Sequence, residues 1–218
     1  MGIRLGILGG TFNPIHNAHL QIAREVQRSL MLDRLIFMPA ATPPHKELDG
    51  DIPFAERLKM VELAIVSEPC FEVTDIEARR SGRSYSVDTL RQLQSLHPGD
   101  QLFFIIGSDS FLEISTWYRA AEIFSLCNIV VVERPEARIT DLLSVLPVAM
   151  RGDFCYISAE MRLTHRSGFS VYYLPGTPLA ISSSEIRSIV RQGGSIRHLT
   201  PDAVCDYIAE KRIYLHDR

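Results

Sequence analysis

The sequence predicts an α/β protein built on one doubly wound, mainly parallel sheet with helices on both faces. Three observations predict it. Short apolar runs alternate with segments of helical period along the whole chain. The most apolar run, Leu102-Phe103-Phe104-Ile105-Ile106, has no polar alternation, as expected of a strand covered on both faces. The first strand passes into the first helix through a turn with two glycines, where backbone can approach a ligand with no Cβ in the way.

Taken in order, residues 3–8 form an apolar first strand. Leu20, Ile22, Ala23, Val26 and Leu30 then recur at helical spacing, giving a helix from about Ala18 to Leu30. Between them, Gly9 and Gly10 lead the free N–H groups of a helix start toward the strand's carboxyl end, where phosphate is the usual occupant. His16 and His19 are three apart and share a helical face. Each imidazole can donate to a phosphate oxygen, and a bound polyanion favours the protonated form. A zinc pair would need four ligands, and no matching Cys/His set lies nearby. Neither G-x-G-x-x-G nor G-x-x-x-x-G-K-[ST] is present, so this is another phosphate device.

Residues 34–38 are a second strand, opening into Pro39-Ala40-Ala41-Thr42-Pro43-Pro44-His45-Lys46. The prolines stiffen a loop at the ligand-binding side of an open sheet. His45 and Lys46 there either present donors to an anion or belong to a solvated connection. A helix over 54–66, with Asp51 near its start, and a short strand at 71–74 follow; 75–83 reads as a polar loop. Ser84 to Leu90 leads into a helix ending near Leu96. Its serine start is an ordinary cap, and the same amides could bind a carboxylate. Past the 102–106 strand, Asp109 in Gly107-Ser108-Asp109 suits a ribose hydroxyl, a metal-bound phosphate or a helix cap. Trp117, the only tryptophan, is either core or a stacking platform beside Tyr118.

Residues 128–132 form a fifth strand closed by Glu133-Arg134-Pro135. From Glu136 to about Gly168 the pattern is weak: a helix over 139–146, then no clear period over 151–166. Residues 169–174 form a sixth strand. Ser182 and Glu185 have capping-box spacing, so a helix starts there and stops at Gly193-Gly194. Three hydroxyls at its start, with Arg187 in the first turn, are also an anion cradle. Thr200-Pro201 starts a last helix reaching about Lys211.

The 218 residues suit one domain, with a C-terminal helical part from about 182. A formal net charge of −3 gives no field for coating nucleic acid, so local groups must hold any anionic ligand. Met1-Gly2-Ile3-Arg4 runs directly into a strand without a signal-peptide apolar region, the Ser/Thr of the myristoylation pattern is missing, and no run approaches membrane-spanning length. Four cysteines without a C-x-x-C suggest reduced thiols. The expectation is a cytoplasmic monomer or small homo-oligomer with no nucleic-acid or membrane partner.

The stretch from Gly9 to His19 resembles the signature of the nucleotidylyltransferases with a Rossmann-like fold, whose core is H-x-G-H, here with Ala18 at the glycine. Ile181-Ser182-Ser183-Ser184-Glu185-Ile186-Arg187 resembles the paired I-S-S-T-x-I-R motif, with Ser184 at the threonine. Pro43-Pro44-His45-Lys46, Ser84-Tyr85-Ser86 and the run from Gly107 through Trp117-Tyr118 are similar to segments of the bacterial nicotinate-nucleotide adenylyltransferases. The resemblance implies adenylyl transfer from ATP to nicotinate mononucleotide, giving the deamido dinucleotide and pyrophosphate. It implies ATP binding by Gly9, Gly10, Thr11, Phe12, His16, His19, Gly107, Asp109, Ile181, Ser182, Ser183, Ser184 and Arg187, with His16, His19 and Arg187 catalytic. It implies that His45 and Lys46 anchor the substrates and that Trp117 stacks on the pyridine ring. Backbone N–H groups of Ser86 and Tyr118 would meet the nicotinate carboxylate. Mg²⁺ would ride on the phosphates with few or no protein ligands. The rivals are a sister transferase, using nicotinamide mononucleotide, phosphopantetheine or a cytidylyl donor, and a nucleotide sensor without turnover.

Overall fold

A computed structural model describes residues 2–42, 52–157, 162–176 and 181–215. Its strands are β1 (Arg4–Gly10), β2 (Arg34–Pro39), β3 (Phe71–Val73), β4 (Gln101–Gly107), β5 (Asn128–Val132), β6 (Phe154–Ile157), β7 (Arg162–His165) and β8 (Ser170–Leu174). They form one sheet in the order β3-β2-β1-β4-β5-β8-β7-β6. The six strands from β3 to β8 are parallel, and β7 and β6 extend the sheet as an antiparallel hairpin.

Alternate side chains of each central strand enter opposite layers. Phe103 and Ile105 of β4 face a core shared with α1 (Asn17–Ser29), α2 (Phe54–Ile65), α8 (Ser183–Arg191) and α9 (Asp202–Glu210). Leu102, Phe104 and Ile106 face the other layer, with α3 (Ser86–Leu96), α4 (Ser108–Leu112), α5 (Ala120–Ile123), α6 (Leu142–Val145) and the turn of α7 (Val148–Arg151) behind it. Because both faces are covered, β4 and β5 read as continuous apolar runs.

The expected elements form within a residue or two of their predicted ends. The weakly patterned region is the exception. The expected helix over 139–146 shrinks to the four residues of α6, and the stretch without a period contains the β6–β7 hairpin. Each of those strands is only four residues long, at or next to the sheet edge, too short to show a period. The glycine stop of α8 is realised: Gly193 takes φ 74° and the Gly194 N–H donates to Ile189 O at 2.9 Å.

The chain leaves β1 toward β2 and β3, then returns to place β4 on the other side of β1. A crevice opens at such a switch, outside the carboxyl ends of β1 and β4.

Candidate active site

A crevice of about 830 Å³ lies at that switch point. Gly9, Gly10, Thr11, Phe12, His19, Ser86, Gly107, Asp109, Trp117, Tyr118, Ser183, Ser184 and Arg187 line it, so both predicted motifs and the α3 start meet in one place. His16, Ile181 and Ser182 do not line it. His16 is buried behind the loop, and the Ser182 hydroxyl accepts from Glu185 N at 3.1 Å as an ordinary helix cap. His45 and Lys46 fall outside the described residues.

The loop after β1 is held from behind by its carbonyls. The Arg57 guanidinium donates to Thr11 O at 2.8 Å, Arg187 to Asn13 O at 2.9 Å, and the Ser183 hydroxyl to Pro14 O at 2.9 Å. Thr11 and Phe12 amides make no hydrogen bond among the described residues, leaving donors free at the mouth of the crevice. A Cβ on Gly10 would stand 2.9 Å from the Phe12 ring, so a larger residue here would displace that ring.

The two histidines stack, with ring centroids 3.7 Å apart and planes at 27°. The His16 N–H donates to His19 Nδ1 at 3.2 Å. That fixes the tautomer: Nδ1 of His19 is an acceptor, so the ring proton is on Nε2. Burial, then the neighbouring Arg134, lowers the His16 pKa to about 4. Burial, then His16 and Arg134, holds His19 well below its ordinary value. The protonated form, expected only with a polyanion bound, is therefore not the form of the free protein. Both rings are neutral near pH 7, because desolvation and the nearby arginine each disfavour a charged imidazole.

The opposite wall carries different groups. Ser86 is the first residue of α3, and Tyr85 packs its ring on Tyr118 with centroids 4.6 Å apart, bringing the two segments together. Neither the Ser86 nor the Tyr118 N–H is bonded among the described residues. Trp117 is half-buried, its ring edge-on to Phe104 with centroids 6.3 Å apart, and so serves as both wall and surface. Thr42 N donates to the Ser84 hydroxyl at 3.2 Å and Ser84 N to Thr42 O at 3.0 Å. These bonds hold Thr42 beside this wall.

Among the lining residues that escaped the sequence reading are Arg134 and Glu77. Arg134 follows β5, and its Nε lies 3.6 Å from Asp109 Oδ1 across the carboxyl end of β4. Its only sequence signal is a cation directly after a strand. Glu77 is a buried carboxylate accepting from the Thr89 hydroxyl at 3.0 Å and Ala41 N at 3.3 Å, a role set wholly by distant partners. No group of three metal-ligating side chains occurs among the described residues.

An open α/β sheet with phosphate donors at its switch point defines a nucleotide-handling protein. Comparison with known proteins agrees. The model of the cytidylyltransferase-like family matches residues 7–189. A Geobacter metallireducens protein named "Probable nicotinate-nucleotide adenylyltransferase" is 60% identical, over 99% of this chain and all of its own. A Geobacter sulfurreducens protein of the same name is 57% identical over 99% of this chain and all of its own. The Plasmodium falciparum nicotinic acid mononucleotide adenylyltransferase complexed with NaAD shares the fold, with TM-score 0.75, 20% identity and 97% of each chain covered. The chain belongs to the nicotinate-nucleotide adenylyltransferase family, within the wider cytidylyltransferase-like group.

Proposed function

We propose that the protein transfers the adenylyl group of ATP to nicotinate mononucleotide, releasing pyrophosphate and forming nicotinate adenine dinucleotide for NAD biosynthesis. The observation that carries this reading is the pair of unbonded N–H groups, Ser86 and Tyr118, set beside Trp117 in the same crevice as the phosphate loop. Two such donors suit a carboxylate, which only accepts; an amide would also need an acceptor for its own N–H groups. The names of the full-length relatives support the same acceptor.

A phosphate oxygen of the mononucleotide attacks the α-phosphorus of ATP, the bond to the β-phosphate oxygen breaks, and pyrophosphate leaves with the electron pair. The attacking group is already anionic near neutral pH, so no protein base is needed. The chain's work is positioning and charge stabilisation. His19 donates through Nε2–H to an oxygen on the reacting phosphate, and His16 supports it from behind. Thr11 and Phe12 amides, Gly9 and Gly10 cradle the triphosphate, and Ser183, Ser184 and Arg187 face the departing β,γ-phosphates. Ile181 and Ser182 act through the helix start rather than by contact. Gly107 leaves room for the nucleotide, because a Cβ there would meet Asp109 and Arg134, and Asp109 is placed for a ribose hydroxyl. Arg134 supplies a cation for the mononucleotide phosphate, with His45 and Lys46 anchoring from the adjacent segment. The lining holds scattered rather than clustered carboxylates, which fits Mg²⁺ carried on phosphate oxygens with its own water. Such an ion neutralises phosphate charge. The reading includes a cytoplasmic location and a monomer or small homo-oligomer.

The test is to incubate purified protein with ATP, Mg²⁺ and nicotinate mononucleotide and separate the products by chromatography. Nicotinate adenine dinucleotide and pyrophosphate in equal amounts are expected. Turnover only with phosphopantetheine or with CTP would assign a sister transferase, and nucleotide binding without turnover would assign a sensor.

A further inference from the structure

The last turn of the chain reaches the phosphate loop. Tyr214 follows α9 with φ 67°, a left-handed conformation uncommon for a bulky residue. Its side chain is nevertheless buried, and its hydroxyl donates to Asn13 Oδ1 at 2.8 Å across 201 residues of sequence. Burial raises the phenol's pKa, while Arg187 and Arg57 oppose the rise, so the hydroxyl stays a donor throughout the neutral range. Those two arginines hold carbonyls of the same loop, Asn13 O and Thr11 O.

The loop needs such support. Phe12 takes φ 48°, so the turn does not keep its shape by local preference. Arg57, Arg187 and Ser183 fix three carbonyls; the Asn13 side chain, which also lines the crevice, is fixed from the C-terminal turn. We propose that Tyr214 is a positioning residue for the nucleotide: by holding Asn13 it sets the Thr11–Pro14 turn so that the Thr11 and Phe12 amides and the His19 ring face the triphosphate. This inference rests on the reading of the crevice as an ATP site.

A control lies on α9, the helix that precedes it. The Tyr207 hydroxyl donates to Glu56 Oε2 at 2.7 Å, fastening α9 to α2 away from the crevice. Wild type, Tyr214→Phe and Tyr207→Phe are compared by calorimetric titration with a non-hydrolysable ATP analogue and Mg²⁺, and by KM for nicotinate mononucleotide. Phenylalanine keeps both rings packed, and thermal melts show that each variant is folded. Tyr214→Phe is expected to weaken analogue binding about five- to tenfold, the scale of one buried hydrogen bond, with the mononucleotide KM within about twofold. Tyr207→Phe is expected to leave analogue binding unchanged. Unchanged analogue binding in Tyr214→Phe overturns the proposal. Equal weakening in both variants also overturns it, assigning the effect to a loosened C-terminal helix. A wild type that does not bind the analogue removes the ATP reading itself, and the proposal with it.

Discussion

The two walls of the crevice are built on different plans. On the phosphate wall the turn from Phe12 to His16 is buried, and it is tied by carbonyls and one side chain to α2, α8 and the turn after α9. The pyridine wall stands on the first residue of a helix and a short turn; Tyr118 is half exposed and the Ser86 and Tyr118 amides are unbonded. A fixed array of dipoles suits charge that develops during a reaction, because nothing has to reorganise as it develops. A wall of a few free donors suits discrimination between acceptors. In the proposed reading chemistry and choice fall to separate residues, and substitutions should separate them too.

The largest effect is expected on the phosphate wall. His19→Ala should lower kcat by about 10²–10³-fold with a cooperative thermal transition retained, since it removes a donor to the reacting phosphate. Near-normal turnover in that folded variant would take the histidine out of the chemistry. The same wall should control acid stability. A histidine whose pKa in the fold lies below its unfolded value contributes stability above about pH 6.5 and loses it as pH falls toward the folded value, here about 4 for His16. The loss from His16 alone is on the order of 3 kcal/mol by that linkage. Urea midpoints at pH 7 and pH 5 should therefore fall on acidification, and His16→Gln should flatten the fall. On the pyridine wall, Trp117→Ala should raise KM for nicotinate mononucleotide about tenfold, the scale of one stacked ring, and leave KM for ATP nearly unchanged. Equal changes in both constants would erase the distinction between the walls.

Most of the phosphate wall was legible because its signals are local. Two glycines between strand and helix, histidines three apart, and a capping box closed by a glycine stop can each be read within a dozen residues. Legibility ended where tertiary partners decide. Ser182 looks the same whether its hydroxyl faces a ligand or its own helix; it faces Glu185 N. Arg134 enters the crevice only because β5 lies beside β4, and Glu77 is buried only because Thr89 and Ala41 meet it. The β6–β7 hairpin was invisible because four-residue strands at a sheet edge carry too few alternations. The histidine charge state of the free protein was not legible because pKa follows burial, which spacing does not report.

The central claim is that unbonded backbone donors choose the acceptor, and Ser86 allows it to be tested directly. As the first residue of α3 it can be replaced by proline without losing a helical hydrogen bond, and Tyr85 before it already has the extended conformation that proline requires (φ −79°, ψ 129°). We would measure kcat/KM for nicotinate mononucleotide and nicotinamide mononucleotide on the wild type and on Ser86→Pro. The account predicts a strong wild-type preference for the acid that shrinks at least about tenfold in the variant, with the amide rate little changed, as expected for one hydrogen bond to a charged group. A wild type indifferent to acid or amide, or a variant that keeps the full preference, would contradict it.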